Sequence, residues 1–255
     1  MKRDLFDWAE FPAAFASAAG RCGFGEEVLL ETEDGAITAW ERGGNGSTVY
    51  VSAGMHGDEP AGSLALLEMM EAGWFPGNFH WLVCPALNPG GLATGSRGNR
   101  QGLDLNRDYL LQQSLEIAAH ARWLSRKPIP SVFVSLHEDW ETEGFYFYEI
   151  NLGNDDPARY QGILDSVSPF FPPEPGPEID GHEARAPGWI FHCAEADLPD
   201  EWPEAIWLAK QGCPLSFTFE TPSRADLSKR VRAHLAGLEA VLRSVAIGGI
   251  RELGN

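Results

Sequence analysis

The chain has 255 residues, of which 44% are hydrophobic and 22% are charged, an ordinary composition for a globular protein. Its 19 basic and 37 acidic residues give a formal net charge of −18, which repels nucleic-acid phosphates and anionic lipid headgroups. Nucleic-acid and membrane partners are therefore not expected. A chain of this length lies near the upper limit for one hydrophobic core, so we expect a single domain over residues 1–255.

The sequence also argues against export. Its apolar runs are far shorter than the roughly 20 residues of a bilayer span, and residues 1–10 carry acids where a signal peptide is basic and then apolar. The four cysteines are widely spaced and form no CxxC pair, which favours reduced, mostly buried thiols. We therefore expect a cytoplasmic protein.

Helix-like and strand-like segments alternate along the chain, which predicts a layered α/β fold. Apolar spacing predicts a helix over residues 4–19, interrupted by Pro12, and then strands over residues 28–33, 36–41 and 48–53. Asp34 and Gly35 separate the first two strands and favour a tight turn, so these strands are expected to pair antiparallel.

The middle of the chain predicts a helix over residues 59–73 and a strand over residues 79–84. Residues 85–108 are rich in Gly, Asn and Arg with little periodicity, which indicates a long loop of the kind that is usually functional. A helix over residues 109–125 and a buried strand over residues 132–136 follow.

The last part of the chain predicts three more strands and two more helices. The strands cover residues 145–150, 188–193 and 215–220, and the helices cover residues 156–167 and 223–245. Residues 169–177 hold five prolines, too many for either element, and are expected to form a surface connection.

His56 and Glu59 follow directly after the apolar strand 48–53, where the chain turns into a helix. Ligand sites in open α/β sheets lie at the carboxyl ends of strands, and imidazole and carboxylate groups both suit zinc. The same spacing recurs in His192 and Glu195, so either pair alone is more readily explained as a packed His beside a helix-start acid. Gly54 and Gly57 enclose His56 and allow the backbone to approach a bound group closely, which singles out the first pair.

A catalytic zinc ion usually takes three protein ligands, and His137 is the best candidate for the third. It ends the strand 132–136 and so reaches the same sheet edge as His56. The other histidines begin strands, lie within helices or lie in loops. Taken alone, His137 is equally consistent with a strand-end His bonded to a backbone carbonyl.

Three arginines occur within residues 97–107, on a loop that contains glycine. A guanidinium group binds a carboxylate through two parallel hydrogen bonds, so this loop is suited to capture a substrate carboxylate. Asp104 or Asp108 could equally pair with these arginines and hold the loop in place, and for Arg100 the two interpretations stand level.

The order of these motifs resembles a known family. Gly-Met-His56-Gly-Asp-Glu59, Asn88-Pro-Gly-Gly, Ser96-Arg97, Asp104-Leu-Asn-Arg107, Leu136-His137 and Phe219-Glu220-Thr221 follow one another as in the zinc carboxypeptidase superfamily of the carboxypeptidase A type. That superfamily includes succinylglutamate desuccinylase and aspartoacylase. The resemblance covers roughly residues 56–220 and implies an α/β fold with a mixed, largely parallel central sheet flanked by helices.

The resemblance also implies a role for each matching residue. His56, Glu59 and His137 would hold one zinc ion. Asn106 and Arg107 would bind the terminal carboxylate of the substrate, Arg97 would polarise the scissile carbonyl, and Glu220 would be the general base. Without the resemblance, Glu220 is more simply a solvated acid at a strand end. No tyrosine matches the substrate-closing tyrosine of the digestive carboxypeptidases, although Tyr146, Tyr148 and Tyr160 are available.

These features predict a zinc-dependent hydrolase that cleaves an amide bond next to a substrate carboxylate. A metallocarboxypeptidase acting on short peptides is the first expectation, and an N-acyl amino-acid deacylase of the desuccinylase and aspartoacylase kind is the second. A non-catalytic metal- or peptide-binding domain is the alternative from another class. Five acids within residues 195–204 raise the hypothesis of a pocket for a C-terminal Lys or Arg, although they are more simply a solvated loop.

Overall fold

The computed structural model describes residues 6–248. Its main sheet consists of β1 (Gly25–Thr32), β2 (Gly35–Arg42), β3 (Thr48–Ala53), β4 (His80–Cys84), β5 (Val132–Asp139), β6 (Tyr146–Asn151), β9 (Trp189–Phe191) and β10 (Leu215–Pro222). A separate two-stranded ribbon pairs β7 (Glu178–Ile179) with β8 (His182–Glu183). The helices are α1 (Phe11–Arg21), α2 (Pro60–Glu71), α3 (Pro89–Thr94), α4 (Leu115–Leu124), α5 (Pro157–Val167), α6 (Glu204–Lys210) and α7 (Leu227–Gly248).

The eight strands of the main sheet lie in the order β1-β2-β4-β3-β5-β10-β6-β9. The four central strands, β4, β3, β5 and β10, run parallel. On one side β2 pairs antiparallel with both β4 and β1, and on the other side β6 pairs antiparallel with β10 and parallel with the edge strand β9. The predicted α/β fold with a mixed, largely parallel sheet is therefore confirmed, as is the antiparallel pairing of the first two strands.

Helices cover both faces of the sheet. The larger core cluster joins one face to α1, α2, α5 and α7, and the second cluster joins the other face to α4 and α6. All six residues of β3 are buried, as are seven of the eight residues of β5. This burial on both faces explains why the central strands read as continuous apolar runs.

Three predicted helices begin several residues later than expected, and one of them, predicted over residues 223–245, begins at Leu227. The helix predicted over residues 4–19 begins at Phe11, and Pro12 stands in its first turn, where the missing N–H of proline costs nothing, rather than interrupting it. Residues 4 and 5 lie outside the described part of the chain. The helix predicted from residue 109 begins at Leu115, because the Ser114 hydroxyl accepts a hydrogen bond from the Ile117 N–H and caps it there.

Several short elements of the structure have no counterpart among the predicted helices and strands. The predicted loop over residues 85–108 contains α3 and a 3-10 turn (Leu105–Arg107), and the acidic segment before residue 215 contains α6. Helices of one or two turns carry too few residues for periodicity to reveal them. Within residues 6–248, the structure has no helix both long and apolar enough to cross a bilayer.

Candidate metal centre and pocket

His56, Glu59 and His137 form a cluster of side chains that could hold a metal ion, at the carboxyl ends of β3 and β5. These strands are parallel neighbours, and their register pairs Ala53 with Leu136. His137 follows immediately after Leu136, while the turn after β3 presents His56 and then Glu59 at the start of α2. The predicted meeting of His56 and His137 at one sheet edge therefore takes place.

The three side chains are buried and directed at one another. His56 Nδ1 lies 2.6 Å from Glu59 Oε1, and His137 Nδ1 lies 3.0 Å from Glu59 Oε2. The two Nδ1 atoms are 3.3 Å apart. The cluster thus presents two imidazole nitrogens and one carboxylate to a common point, a donor set that suits zinc.

Gly54 and Gly57 shape the turn that carries His56. Gly54 has a φ of 64°, a left-handed conformation that favours glycine. A Cβ on Gly57 would lie 1.8 Å from the carbonyl carbon of Gly91, so the turn packs directly against the backbone of α3. The close approach that these glycines allow is therefore to another segment of the chain, not to a bound group as the sequence interpretation expected.

Asp104 links the metal cluster to Arg97. One oxygen of Asp104 lies 3.1 Å from His56 Nε2, and its other oxygen accepts hydrogen bonds from the guanidinium of Arg97. Arg97 also donates to Glu59 Oε1 at 3.2 Å. A carboxylate that binds the far nitrogen of a metal-ligating His fixes the orientation of the ring, and Asp104 is placed to do this.

The charges within the cluster shift the pKa values of its members. Burial opposes the charged imidazole of His56, but the Glu59 and Asp104 carboxylates outweigh it and raise the pKa of His56 to about 9. Burial likewise opposes ionisation of Glu59, yet the two imidazoles hold the pKa of its carboxyl well below the usual range. Burial lowers the pKa of His137. The cluster therefore has the ionised carboxylate that a cation requires.

Asn106 and Arg107 lie in the 3-10 turn and line the pocket beside the cluster, a cavity of about 460 Å3. The Asn106 side-chain oxygen accepts a hydrogen bond from the Glu204 N–H at 3.0 Å, which fixes its amide. Arg107 is exposed, and its Nε lies 4.0 Å from the nearest oxygen of Glu201. Arg107 therefore has more hydrogen-bond donors free to bind a ligand than Asn106 has.

The floor of the pocket is one face of the paired strands β10 and β6. The register places Glu220 beside His137 of β5 on one side and Tyr146 of β6 on the other. Thr218 and Tyr148 form the pair two residues away from Glu220 and Tyr146. Residues two positions apart on a strand share a face, so all four side chains line the same pocket. Tyr146 and Tyr148 are thereby brought to the site, which their sequence position alone did not reveal.

Glu220 is partly buried and surrounded by acids. Its burial raises the pKa of its carboxyl well above the usual value, and repulsion from Glu59, Asp139 and Asp180 adds to the effect. The Tyr146 hydroxyl donates to Asp139 at 3.0 Å, and the Tyr148 hydroxyl donates to Asp180 at 2.5 Å. The pocket therefore holds a carboxyl group poised to gain a proton near two ordered phenols.

Two residues that the sequence analysis considered, Arg100 and Tyr160, lie away from the metal cluster. Arg100 forms a bidentate pair with Asp34 at the β1–β2 turn, so it holds its loop in place, although its partner is neither Asp104 nor Asp108. Tyr160 stacks on Trp189 at a centroid distance of 4.0 Å. Glu138, which directly follows His137, also lines the pocket, but its carboxylate pairs with Arg230 and accepts a hydrogen bond from the N–H of Ala61 at 2.7 Å, at the start of α2.

The remaining histidines divide into two groups. Three of them hydrogen-bond to side chains outside the cluster. His80 contacts Thr48 and Glu41, His120 contacts Tyr50 and Tyr109, and His234 contacts Thr221. His182 and His192 line the same pocket as His56. The second His-x-x-Glu spacing does not form a pair, because Glu195 forms an ion pair with Lys210.

The acidic residues of the segment 195–204 have different environments. Asp197 and Glu201 line the pocket, while Glu204 is buried and accepts hydrogen bonds from Tyr50 and Ser52, both at 2.7 Å. Burial raises the pKa of Glu204 to about 7. The segment is thus neither wholly solvated nor wholly a pocket lining.

Comparison with known proteins agrees with the resemblance noted in the sequence. The family model of the succinylglutamate desuccinylase/aspartoacylase catalytic domain matches residues 45–128, which include His56, Glu59, Arg97, Asn106 and Arg107. No curated protein matches the chain by sequence.

Solved structures match over nearly the whole chain. A protein from Shewanella denitrificans OS217, assigned provisionally as a metallopeptidase, is 26% identical with a TM-score of 0.80, covering 93% of this chain and 90% of that chain. A metallo-carboxypeptidase from Burkholderia cenocepacia is 15% identical with a TM-score of 0.71, covering 96% and 70% respectively. Carboxypeptidase A from Helicoverpa armigera is 12% identical with a TM-score of 0.67, covering 98% and 76%.

The last two comparisons establish the fold as that of the carboxypeptidases. Together with the family model and the Shewanella structure, they confirm the resemblance to the zinc carboxypeptidase superfamily, including its desuccinylase and aspartoacylase branch. They support a hydrolase of this kind, and the likeness to metallopeptidases implies a metal ion.

Proposed function

We propose that the protein is a zinc-dependent hydrolase that cleaves an amide bond next to a substrate carboxylate. One observation carries the proposal: a single pocket contains the His56, Glu59 and His137 cluster, the guanidinium of Arg97 and the carboxyl group of Glu220. In metal-assisted hydrolysis, a metal ion and a cationic side chain can stabilise the developing oxyanion while a carboxylate acts as general base.

The donor set fits zinc as a resident cofactor. His56, Glu59 and His137 would supply two nitrogens and one carboxylate, the number of protein ligands that leaves one position open for catalysis. A bound zinc ion supplies Lewis acidity, which polarises a carbonyl group and lowers the pKa of water to about 7. Asp104 supports the fit, because its oxygen lies 3.1 Å from His56 Nε2 and holds the ring with Nδ1 toward Glu59.

Other residues of the pocket bind the substrate and assist the reaction. Arg107 binds the terminal carboxylate of the substrate, and Asn106 completes the contact with its amide. Arg97 stabilises the negative charge that develops on the carbonyl oxygen during attack. Glu220 accepts the proton of the attacking water and delivers it to the leaving amine, a task suited to a carboxyl group with a raised pKa.

The most fitting substrates are short peptides cleaved at the C-terminus. A cavity of about 460 Å3 falls in the range for a small ligand, with room for a residue or two beyond the scissile bond. The likeness to metallo-carboxypeptidases over 96% of the chain supports this choice.

The second candidate is an N-acyl amino-acid deacylase. It is favoured by the family model of the succinylglutamate desuccinylase/aspartoacylase catalytic domain, which covers the segment with Arg97, Asn106 and Arg107. The same residues would bind the carboxylate of the amino-acid product in either reaction, so the two candidates differ in the group on the other side of the amide.

A preference for a C-terminal Lys or Arg is a further hypothesis for this pocket. Of the acids that motivated it, Asp197 and Glu201 line the pocket, but each already faces basic groups: Asp197 faces two histidines and Glu201 faces Arg107. Peptides ending in Lys, Phe and Glu test the idea, and equal rates for all three contradict it.

The proposed function is tested with metal-free protein reloaded with zinc. We expect release of the C-terminal residue from short peptides by the reloaded protein and no release by the metal-free protein, measured by mass spectrometry. N-acetyl and N-succinyl amino acids form the parallel panel. Turnover of the acyl panel alone would favour the deacylase, and no turnover on either panel by zinc-loaded protein would contradict the proposal.

A further inference from the structure

A second cluster of ligand-type side chains lies in the same pocket, formed by His182, His192 and Asp197. Three separate segments contribute these residues: β8 carries His182, His192 follows β9, and Asp197 lies in the loop before α6. One candidate ligand atom from each residue lies within 4.8 Å of the others.

The spacing of these atoms fits ligands around one ion better than direct hydrogen bonds. His182 Nε2 lies 3.6 Å from Asp197 Oδ2, and His192 Nε2 lies 3.5 Å from Asp197 Oδ1. A hydrogen bond between nitrogen and oxygen spans about 2.7–3.2 Å, so both distances are too long. Ligands held about 2.0–2.2 Å from a tetrahedral ion are separated by roughly 3.3–3.6 Å, and each imidazole nitrogen lies at such a distance from a different oxygen of the Asp197 carboxylate.

The ring of His192 is set in the orientation that ligation requires. Its Nδ1 lies 2.6 Å from the carbonyl oxygen of Cys193, so the proton of the neutral ring lies on Nδ1 and donates to that oxygen. The lone pair is then on Nε2, the atom that faces Asp197. A backbone carbonyl that fixes the tautomer of a His is a common support for metal ligands.

Tyr148 holds the two imidazoles together. Its ring packs edge-on against His182 and His192 at centroid distances of 5.3 and 5.9 Å, and its hydroxyl donates to Asp180 at 2.5 Å. The two imidazoles are themselves 5.0 Å apart and nearly perpendicular. The rings are therefore ordered by packing on one side while their Nε2 atoms face the acid.

We propose that His182, His192 and Asp197 form a second divalent-metal site. Two imidazole nitrogens and one carboxylate oxygen favour zinc and similar transition-metal ions over magnesium or calcium, which prefer sites built from oxygen ligands. The side chain of Asp197 is 67% exposed, so one side of the site is open to solvent. This site is weaker than the His56 cluster, whose ligands are all buried.

The inference is tested by counting zinc ions on the full chain. Metal-free protein is dialysed against buffered zinc and the bound ions are measured by atomic emission. The wild type binds two ions per chain, while His182→Asn/His192→Asn and His56→Asn/His137→Asn each bind one. The control His80→Asn, which removes an imidazole that faces Glu41 and Thr48, retains two.

A milder variant covers the case in which the double substitution disturbs folding. Asp197→Asn alters an exposed side chain and should weaken the second, lower-affinity zinc ion by more than about tenfold, since even loss of a group supporting a ligand costs 10–100-fold. Zinc should also shift the Nε2 resonances of His182 and His192 in a long-range proton–nitrogen spectrum of the wild type.

The outcomes separate this inference from the proposed function. One ion per chain in both the wild type and His182→Asn/His192→Asn overturns the second site and leaves the first intact. Two ions in the wild type and two in His56→Asn/His137→Asn would instead contradict the first site. Unchanged His182 and His192 resonances at saturating zinc also overturn the inference.

Discussion

The two ends of the pocket are built from the same sequence spacing in different structural settings. His56 and Glu59 follow a central parallel strand, and the chain then enters α2, which brings the carboxylate back to the imidazole at 2.6 Å. His192 and Glu195 follow the edge strand β9 without a helix after them, and Glu195 pairs with Lys210 instead. The spacing alone therefore says little, and the element that follows it decides whether the two side chains meet.

The secondary structure around each cluster also determines how strongly that cluster can bind a metal ion. His56, Glu59 and His137 are 2–4% exposed, held by neighbouring central strands. The second cluster depends on a two-residue strand, an edge strand and a loop, so ordering its ligands costs more conformational entropy on binding. We expect the central cluster to support catalysis and the edge cluster to bind zinc reversibly.

The largest effect should come from removing the central cluster. His56→Asn/His137→Asn leaves one of three ligands, so hydrolysis of the best peptide should fall by more than about 10⁴-fold, beyond the range of a single acid–base group. The matched double variant at the edge, His182→Asn/His192→Asn, should retain turnover within about tenfold. Equal losses in the two variants would remove the distinction between the clusters.

Glu220→Gln should give the next largest effect. The amide keeps the size of the side chain but cannot accept a proton, so kcat should fall by about 10²–10⁴-fold while both zinc ions remain bound. Metal content by atomic emission and steady-state kinetics on the same preparation measure the two properties. Loss of zinc in this variant would assign Glu220 a structural role beside His137.

Asp104→Ala should affect the central metal alone. Asp104 lies 3.1 Å from the far nitrogen of His56, and losing such a support weakens metal binding by about 10–100-fold. Competition with a chelator measures the change. His192 has its corresponding contact from the backbone carbonyl of Cys193, so the edge cluster should keep its affinity. An unchanged central affinity would show that packing alone orients His56.

Much of the central region could be predicted from the sequence because its ligand-type residues lie directly after strands that the sequence reveals. A buried strand, a turn with glycine and a helix start place His56 and Glu59, and two strand ends that share an edge place His137. The assignment of Tyr146 and Tyr148 to the pocket needed the register of β6 against β10, which joins residues about 70 positions apart. Periodicity within one strand carries no information about that pairing.

The edge cluster was harder still to predict. Nothing in the sequence brings His182 and His192 together, because the two-residue strand β8 and the loop after β9 are too short to show periodicity. The helix α6 was missed for the same reason, and with it the burial of Glu204 beneath the candidate substrate-binding residue Asn106.

Glu204 gives the smallest and last of the expected effects, on stability in the central region. Burial raises the pKa of Glu204 to about 7 in the folded protein, above the value of 4.5 expected when unfolded. Below pH 4.5 the group is protonated in both states and contributes nothing. As the pH rises from 4.5 to 7, Glu204 ionises in the unfolded chain before it ionises in the folded protein. The free energy of unfolding therefore falls, by about 2 kcal/mol between pH 5 and 7.

Glu204→Gln removes this titration and should flatten the dependence of the unfolding free energy on pH by that amount. Urea denaturation at pH 5, 6 and 7 measures it, and comparing slopes subtracts the contribution of Glu138, whose pKa burial also raises to about 7. If the Glu204→Gln slope equals that of the wild type, Glu204 is ionised in the folded state, and the hydroxyls of Tyr50 and Ser52 suffice to stabilise a buried charge beneath Asn106.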